Sequence, residues 1–318
     1  MSSKPKKHRL LTRSDFDGLV CAILLKELGI LGSIEFVHPK DVQDGKIAVT
    51  DNDILTNLPY VPGCYLCFDH HPSEETRTKD ASGPNHILTA GADSAARVLY
   101  KYYGGRDAFP KISEQMIAEV DKADSAKFAR GDILNPQGWV LLSFLMDPRT
   151  GLGRFRDFRV SNYQLMMQLI DYCRAHTIDE ILNVPDVRER IQLYQEHRER
   201  FVAQIKRCTK VYGSVAVLDL RSEEVIFAGN RFMIYALYPE CDVSIHVIHG
   251  LKRMNTVLAV GKSILNRGSV AQIGHLLLTY GGGGHDAAGT CQIPNESADQ
   301  VLNELIDLIS SSKVPALV

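Results

Sequence analysis

Residues 64–72 read Cys64-Tyr65-Leu66-Cys67-Phe68-Asp69-His70-His71-Pro72, a short apolar run that ends in a carboxylate and two imidazoles. Such a run, bounded by turn residues, predicts a buried strand. Two earlier segments end the same way: Arg9 to Arg13 leads into Asp15-Phe16-Asp17-Gly18, and Lys46 to Thr50 leads into Asp51-Asn52-Asp53. A further strand is expected over Ser33 to Val37, and a helix at about Gly18 to Leu28. Strands alternating with helices predict an α/β fold with a mostly parallel sheet flanked by helices. In such sheets the carboxyl ends of neighbouring strands meet at a ligand-binding crevice. Acidic and imidazole groups far apart in sequence would converge there.

Each of these motifs has a plain alternative. Asp17 could simply cap the helix that begins at Gly18, and a His-His pair is commonly ordinary surface. Their recurrence at three strand ends favours a metal site. Hard oxygen donors mixed with a few imidazoles suit manganese or magnesium, and two such ions about 4 Å apart can bridge a phosphate and activate water. Cys64 and Cys67 form a C-x-x-C, but inside a strand-like run, so they read as buried core and not as zinc or redox groups.

From Ser94 to about His176 the periodicity is helical, with helices expected near Ser94 to Tyr103, Ser113 to Asp124, Gly138 to Met146 and Asn162 to His176. Residues 186–206 place Val187, Ile191, Tyr194, Phe201 and Ile205 on one helical face. Strands return at Ser214 to Leu220, Glu224 to Ala228, Val243 to His249 and Thr256 to Ser263. A helix at about Ser269 to Tyr280 then runs into Gly281-Gly282-Gly283-Gly284-His285, and a last helix covers Ala298 to Ser310. These features divide the chain into an N-terminal domain, 1–185, a connecting helix, 186–210, and a smaller C-terminal α/β domain, 211–318. Ordering four consecutive glycines costs entropy, and bare backbone N–H groups can form an anion-binding nest. A helix stop explains one of the four.

The 318 residues include 45% hydrophobic and 23% charged side chains, with a net charge of −2. No stretch is apolar enough to span a membrane, and the charge does not suit a general duplex-binding surface. The basic start of the chain lacks the features of a secretory signal. Seven scattered cysteines suit reduced thiols, so the expected compartment is the cytoplasm.

Asp69-His70-His71 after an apolar strand, an upstream D-x-D and a downstream Gly-Gly-Gly-His together resemble the DHH superfamily of phosphoesterases, including exopolyphosphatase-related proteins and nano-RNases. The resemblance implies a DHH domain followed by a DHH-associated domain. It implies that Asp15, Asp17 and His70 hold metal and that a carboxylate after the third strand, Asp51 or Asp53, bridges two ions. His71 would be a ligand or phosphate contact, with Asp69 orienting the histidines. The last carboxylate would be Asp124 in Asp124-Ser125-Ala126-Lys127-Phe128, with Asp121 as its neighbour. Gly282, Gly283, Gly284 and His285 would bind substrate phosphate, joined by Ser263, Asn266 and Arg267, with Arg13 and Arg231 as further contacts. The chain departs from the pattern at Leu11, where many relatives carry a metal-binding His. That departure implies a metal position short of a ligand.

The resulting expectation is a Mn²⁺-dependent phosphoesterase, with two ions and Mg²⁺ as the alternative metal, acting on a small substrate in an interdomain cleft. Short oligonucleotides, cyclic dinucleotides and pAp-like nucleotides fit best, and a homodimer is compatible with the sequence. An exopolyphosphatase and a non-catalytic nucleotide sensor are the rival readings.

Overall fold

The computed structural model describes residues 6–155 and 157–311. Residues 1–5 of the basic start of the chain and the final stretch 312–318 of the expected C-terminal domain lie outside the described residues. The chain divides into two compact units, one of residues 1–127 and 136–193, the other of residues 128–135 and 194–318.

The first unit is an α/β fold around five parallel strands: β1 (His8–Thr12), β2 (Leu31–Phe36), β3 (Asp53–Thr56), β4 (Leu66–Asp69) and β5 (His86–Leu88). Their order is β2-β1-β3-β4-β5. The connection from β1 goes outward to β2 and the chain then returns to β3 on the other side of β1, so the switch point lies between the carboxyl ends of β1 and β3. Helix α1 (Phe16–Glu27) follows β1. Its residues Leu19 to Leu25 are all fully buried, which makes it apolar all round, as a core helix must be. Each buried Leu or Ile there contributes about 1.5–3 kcal/mol. The longer helices α2 (Ala95–Tyr102), α3 (Glu114–Asp124), α4 (Gly138–Met146) and α5 (Asn162–Ala175) follow, beside short helices at Pro39–Gln43, Pro72–Arg77 and Ile178–Leu182.

Two expected strands are corrected. Lys46 to Thr50 is not a strand; Asp53–Thr56 takes its place. Ile47 and Val49 instead pack onto an apolar cluster, and Arg9 Nη2 donates to the Ala48 carbonyl at 2.7 Å. Apolar residues thus find burial without ladder pairing. In the second unit Glu224 to Ala228 is also not a strand. Side chains of helix α6 (Pro185–Cys208) replace a strand partner: Gln204 Nε2 donates to Val225 O at 2.7 Å, Phe227 N to Gln204 Oε1 at 3.1 Å, and Ala228 N to His197 Nδ1 at 3.0 Å. Backbone polar groups must be satisfied somewhere, and here long side chains do it.

The second unit carries a six-stranded mixed sheet of β6 (Thr209–Tyr212), β7 (Val215–Asp219), β8 (Val243–His249), β9 (Thr256–Lys262), β10 (Gly283–His285) and β11 (Ala288–Ile293), in the order β10-β11-β9-β8-β7-β6. A short helix α7 (Met233–Leu237) precedes β8. Helices α8 (Ile273–Leu278) and α9 (Ala298–Ser311) contribute to its core with Val243, Ile245, Val247, Leu258 and Val260. Among the described residues no helix is long and apolar enough to cross a membrane.

Candidate metal centre

The site begins where β1 ends. Asp15 caps α1, its Oδ1 accepting from Gly18 N at 3.0 Å. Gly18 has no alternative, since a Cβ there would lie 2.0 Å from the Arg13 carbonyl oxygen. Asp17 does not cap its own helix. Its two oxygens accept from Ala95 N at 3.1 Å and Ala96 N at 2.8 Å, the first amides of α2, which holds the carboxylate rigidly.

Beyond β4, Asp69 Oδ1 accepts from the His70 amide at 2.7 Å and lies 2.6 Å from His71 Nδ1. A carboxylate can only accept from a neutral or protonated ring, so His71 carries a proton on Nδ1. His70 Nδ1 lies 2.8 Å from the Ala92 carbonyl and carries one for the same reason. His70 therefore presents Nε2, 2.9 Å from Asp124 Oδ2 at the end of α3. Ligand atoms of Asp17, His70 and Asp124 all lie within 4.8 Å of one another, as do those of Asp69, His70 and His71.

The electrostatics fit a cation. Burial, followed by the charge of Asp124, pushes the Asp17 carboxyl well above its ordinary value, and burial chiefly raises Asp15. Burial opposes charge on His70, but Asp124 and Asp17 outweigh it and lift the imidazole to about 9. Burial likewise opposes charge on Asp124, yet the hydrogen bond from His70 keeps it below the usual range. Crowded carboxylates with raised pKa values and an imidazole held between them can take a divalent ion in place of protons. Asp69 Oδ2 is buried with no hydrogen-bond partner in the protein, which costs about 1–3 kcal/mol unless a ligand or water answers it. The donor set is of hard oxygens and imidazole, and fits Mn²⁺ or Mg²⁺.

Arg13 Nε pairs with Asp15 Oδ2 at 3.1 Å, bringing a cation to the cluster. Arg149 was not flagged by the sequence. Asp147 Oδ1 holds its Nε at 2.7 Å, and although the side chain is half exposed, partial desolvation opposes its charge while Asp147, Asp15 and Asp124 outweigh this and raise its pKa. It sits in an Asp147-Pro148-Arg149 turn after α4, a signal that reads as a helix stop and nothing more.

Other expected ligands fall elsewhere. Asp51 is exposed in the turn before β3. Asp53 opens β3 at the amino end of the sheet, beside Arg9 in register, and is gripped by Arg9 Nε at 2.7 Å, Arg9 Nη2 at 2.8 Å and Thr50 N at 2.7 Å. Neither is brought to the cluster. Asp121 accepts from Ser94 Oγ at 2.7 Å and Arg97 Nε at 2.8 Å, a structural role beside the cap of α2. Leu11 is fully buried among Val42, Leu55, Leu58, Tyr60, Cys64 and Cys67, on an apolar face of the sheet. Burial raises the Cys64 thiol to about 11 and pushes Cys67 well above its ordinary value, as buried core thiols.

In the second unit the glycine run is mostly a packing device. Gly281 has φ 69° and closes α8, while a Cβ on Gly282 or Gly284 would lie 2.3 Å from Thr290 O or 2.2 Å from Ala288 O. Gly283 to His285 pairs antiparallel with Ala288 to Thr290, so this stretch forms a hairpin strand. Gly284→Ala is expected to destabilise this unit by about 1–3 kcal/mol through overpacking, and Gly283→Ala, whose Cβ would meet only Leu278 Cδ2 at 3.8 Å, by less than about 0.5 kcal/mol. Thermal unfolding of the two variants compares them directly. His285 is exposed at the strand end. Lys262 N donates to Ala287 O at 2.8 Å, which brings the loop of Ser263, Asn266 and Arg267 beside this hairpin. Ser263 Oγ accepts from Leu265 N and Asn266 N, shaping the loop. Asn266 Nδ2 donates to Glu240 O at 3.2 Å, and Arg267 is exposed. Arg231 stacks over Phe232, 4.0 Å from its ring centroid. Burial, with help from the charge of Arg231, lowers His246 on β8 to about 4.

No family model matches the chain, and no curated protein does. Among solved structures, it is 55% identical to the pGpG-specific phosphodiesterase PggH of Vibrio cholerae, covering 96% of this chain and 100% of that one, with a TM-score of 0.82. An exopolyphosphatase-related protein of Bacteroides fragilis is 14% identical over 95% of this chain and 92% of its own, with a TM-score of 0.53. RecJ of Thermus thermophilus in complex with Mn²⁺ is 13% identical over 98% of this chain and 53% of its own, with a TM-score of 0.50. The last two share the fold. With Asp69-His70-His71 at the end of β4 and a relative of this identity over the whole length, the chain belongs to the DHH superfamily of metal-dependent phosphoesterases.

Proposed function

We propose that this enzyme is a cytoplasmic, Mn²⁺-dependent phosphodiesterase that cleaves a short 5′-phosphorylated dinucleotide of the pGpG type to mononucleotides. The observation that carries the reading is 55% identity to a pGpG-specific phosphodiesterase across nearly the whole chain. The hard-donor cluster supports the metal, and the absence of any disulfide among the described cysteines supports a reducing compartment.

In this reading residues 1–185 form the hydrolytic domain, the helix over 186–210 connects, and residues 211–318 recognise substrate. Asp15, Asp17, His70 and Asp124 would hold the metal, which when bound supplies Lewis-acid polarisation of a phosphoryl oxygen and a more acidic water. Asp69 orients His71 and fixes its tautomer, so Nε2 is the ring nitrogen that would meet a phosphoryl proton. Arg13 and Arg149 offer cationic donors for charge that develops on the phosphoryl group. Hairpin residues Gly282 to His285, with Arg267 and Arg231, bind the portion of substrate that does not react.

Chelator-treated protein restored with Mn²⁺ is assayed against pGpG, pApA, cyclic di-GMP and inorganic polyphosphate. The reading expects fastest release of GMP from pGpG; faster release of phosphate from polyphosphate overturns it. His285→Ala and Arg267→Ala are expected to lower kcat/KM on pGpG about 10- to 100-fold, the worth of one charge-assisted contact, and to leave a bis-aryl phosphate ester nearly unaffected. Remote binding energy is used only by a substrate that reaches it. Equal losses on both substrates remove the recognition role from these residues.

A further inference from the structure

Asn57 follows β3 directly, at the carboxyl end of the strand that lies between β1 and β4. Thr56 pairs in register with Thr12 of β1 and Phe68 of β4, so the next residue along each strand puts Asn57 beside Arg13 and Asp69. Its backbone amide donates to Phe68 O at 3.1 Å. The side chain is 1% exposed, and neither its Oδ1 nor its Nδ2 has a hydrogen-bond partner in the protein. Its φ is 54°, a left-handed conformation that asparagine tolerates better than most residues but that still carries strain. Buried amides are almost always paired, and backbone strain of this kind concentrates at functional sites. Asp69, with its own unpartnered buried oxygen, is its neighbour on β4.

We propose that Asn57 is a neutral oxygen ligand of the metal centre, and that its lack of charge leaves the protein with one tight and one weak divalent-ion position. An amide oxygen is a hard donor suited to Mn²⁺ or Mg²⁺. It supplies coordination without the negative charge that an aspartate at this strand end would add. The second cation is then attracted less strongly, whatever ligands it shares. This inference rests on the metal-centre reading above and goes beyond it, because neither Asp51 nor Asp53 reaches this strand end.

The test is Mn²⁺ titration of chelator-treated full-length protein without substrate, by calorimetry and by electron paramagnetic resonance, for the wild type, Asn57→Asp and Asn57→Leu. The wild type is expected to bind one Mn²⁺ tightly per chain and a second at least tenfold more weakly. Asn57→Asp, nearly isosteric and tolerant of the same backbone, is expected to tighten the weak position about tenfold or more and to bring up the exchange-coupled signal of a metal pair. Asn57→Leu is expected to weaken Mn²⁺ binding by about 10- to 100-fold. Two equally tight ions in the wild type overturn the inference, and so does an Asn57→Asp titration that matches the wild type. Absence of Mn²⁺ binding in every form overturns the metal-centre reading as well, whereas binding that ignores residue 57 overturns this inference alone. Should Asn57→Leu fail to fold, Asn57→Asp decides.

Discussion

Asp17→Asn or His70→Ala is expected to lower kcat/KM on pGpG by roughly a thousandfold or more while the protein stays folded. The reasoning starts from the cluster at the ends of β1 and β4, where ligand atoms of Asp17, His70 and Asp124 converge within 4.8 Å. Lewis-acid stabilisation of a phosphoryl transition state is worth several kcal/mol, and about 1.4 kcal/mol corresponds to each factor of ten. Asparagine is the right substitution at position 17, because the carboxylate also accepts from Ala95 N and Ala96 N at the start of α2. Alanine would remove that cap and cost about 1 kcal/mol of stability in addition. An amide oxygen can still accept one of the two bonds, so the loss read in Asp17→Asn is mostly that of the charged ligand. His70→Ala tests the same centre from the other strand. Circular dichroism and unfolding midpoints establish that both variants are folded. Undiminished turnover by either one, after chelation and return of Mn²⁺, sinks the assignment.

Much of this was legible in the sequence because it depends on local pattern. The run into Asp69-His70-His71 is a strand ending at Asp69, and Asp15 and Asp17 follow β1 as their spacing suggests. Choosing among nearby carboxylates was harder. Lys46 to Thr50 is as apolar as a strand, and only the tertiary fold decides that Ile47 and Val49 pack as irregular chain while β3 starts at Asp53. That slip moves the carboxylates to the amino end of the strand and puts a neutral residue, Asn57, at the carboxyl end. Leu11, a position that cannot ligate, is a buried core residue in the fold. Strand faces alternate, and the one-dimensional comparison with a family position carries no information on which face this leucine takes. Here it shares the apolar face with Leu55 and Cys67. The glycine run was read for its freedom to approach an anion. In the structure two of its members are needed because neighbouring hairpin backbone comes too close for a Cβ, a requirement that no single-chain pattern reveals.

Arg9→Met is expected to destabilise the first unit by about 2–4 kcal/mol and to leave Mn²⁺ affinity unchanged. Asp53 is 1% exposed, and Arg9, 29% exposed, meets both of its oxygens at 2.7 and 2.8 Å. Removing one partner of a buried pair strands the other charge, and methionine keeps the aliphatic stem of the arginine, so packing loss is small. Burial by itself would raise the Asp53 pKa; the hydrogen bonds from Arg9 and Thr50 outweigh it and hold the carboxyl below its ordinary value. A depressed carboxylate contributes stability that is complete above the unfolded Asp pKa of about 3.9 and is lost as pH falls through the folded value. The gap between wild type and Arg9→Met should therefore be full at neutral pH and shrink as pH falls below about 4 and through the lower folded value, beneath which Asp53 is neutral in both. Urea unfolding across that range measures it. The double variant Arg9→Met/Asp53→Leu should regain most of the lost stability, since an apolar pair of similar volume often replaces a buried ion pair without cost. Mn²⁺ titration then separates the two roles proposed for Asp53 at the outset. A residue that only pins β1 to β3 can be removed in this double variant with the metal still bound, whereas loss of the tight Mn²⁺ site would return Asp53 to the metal centre.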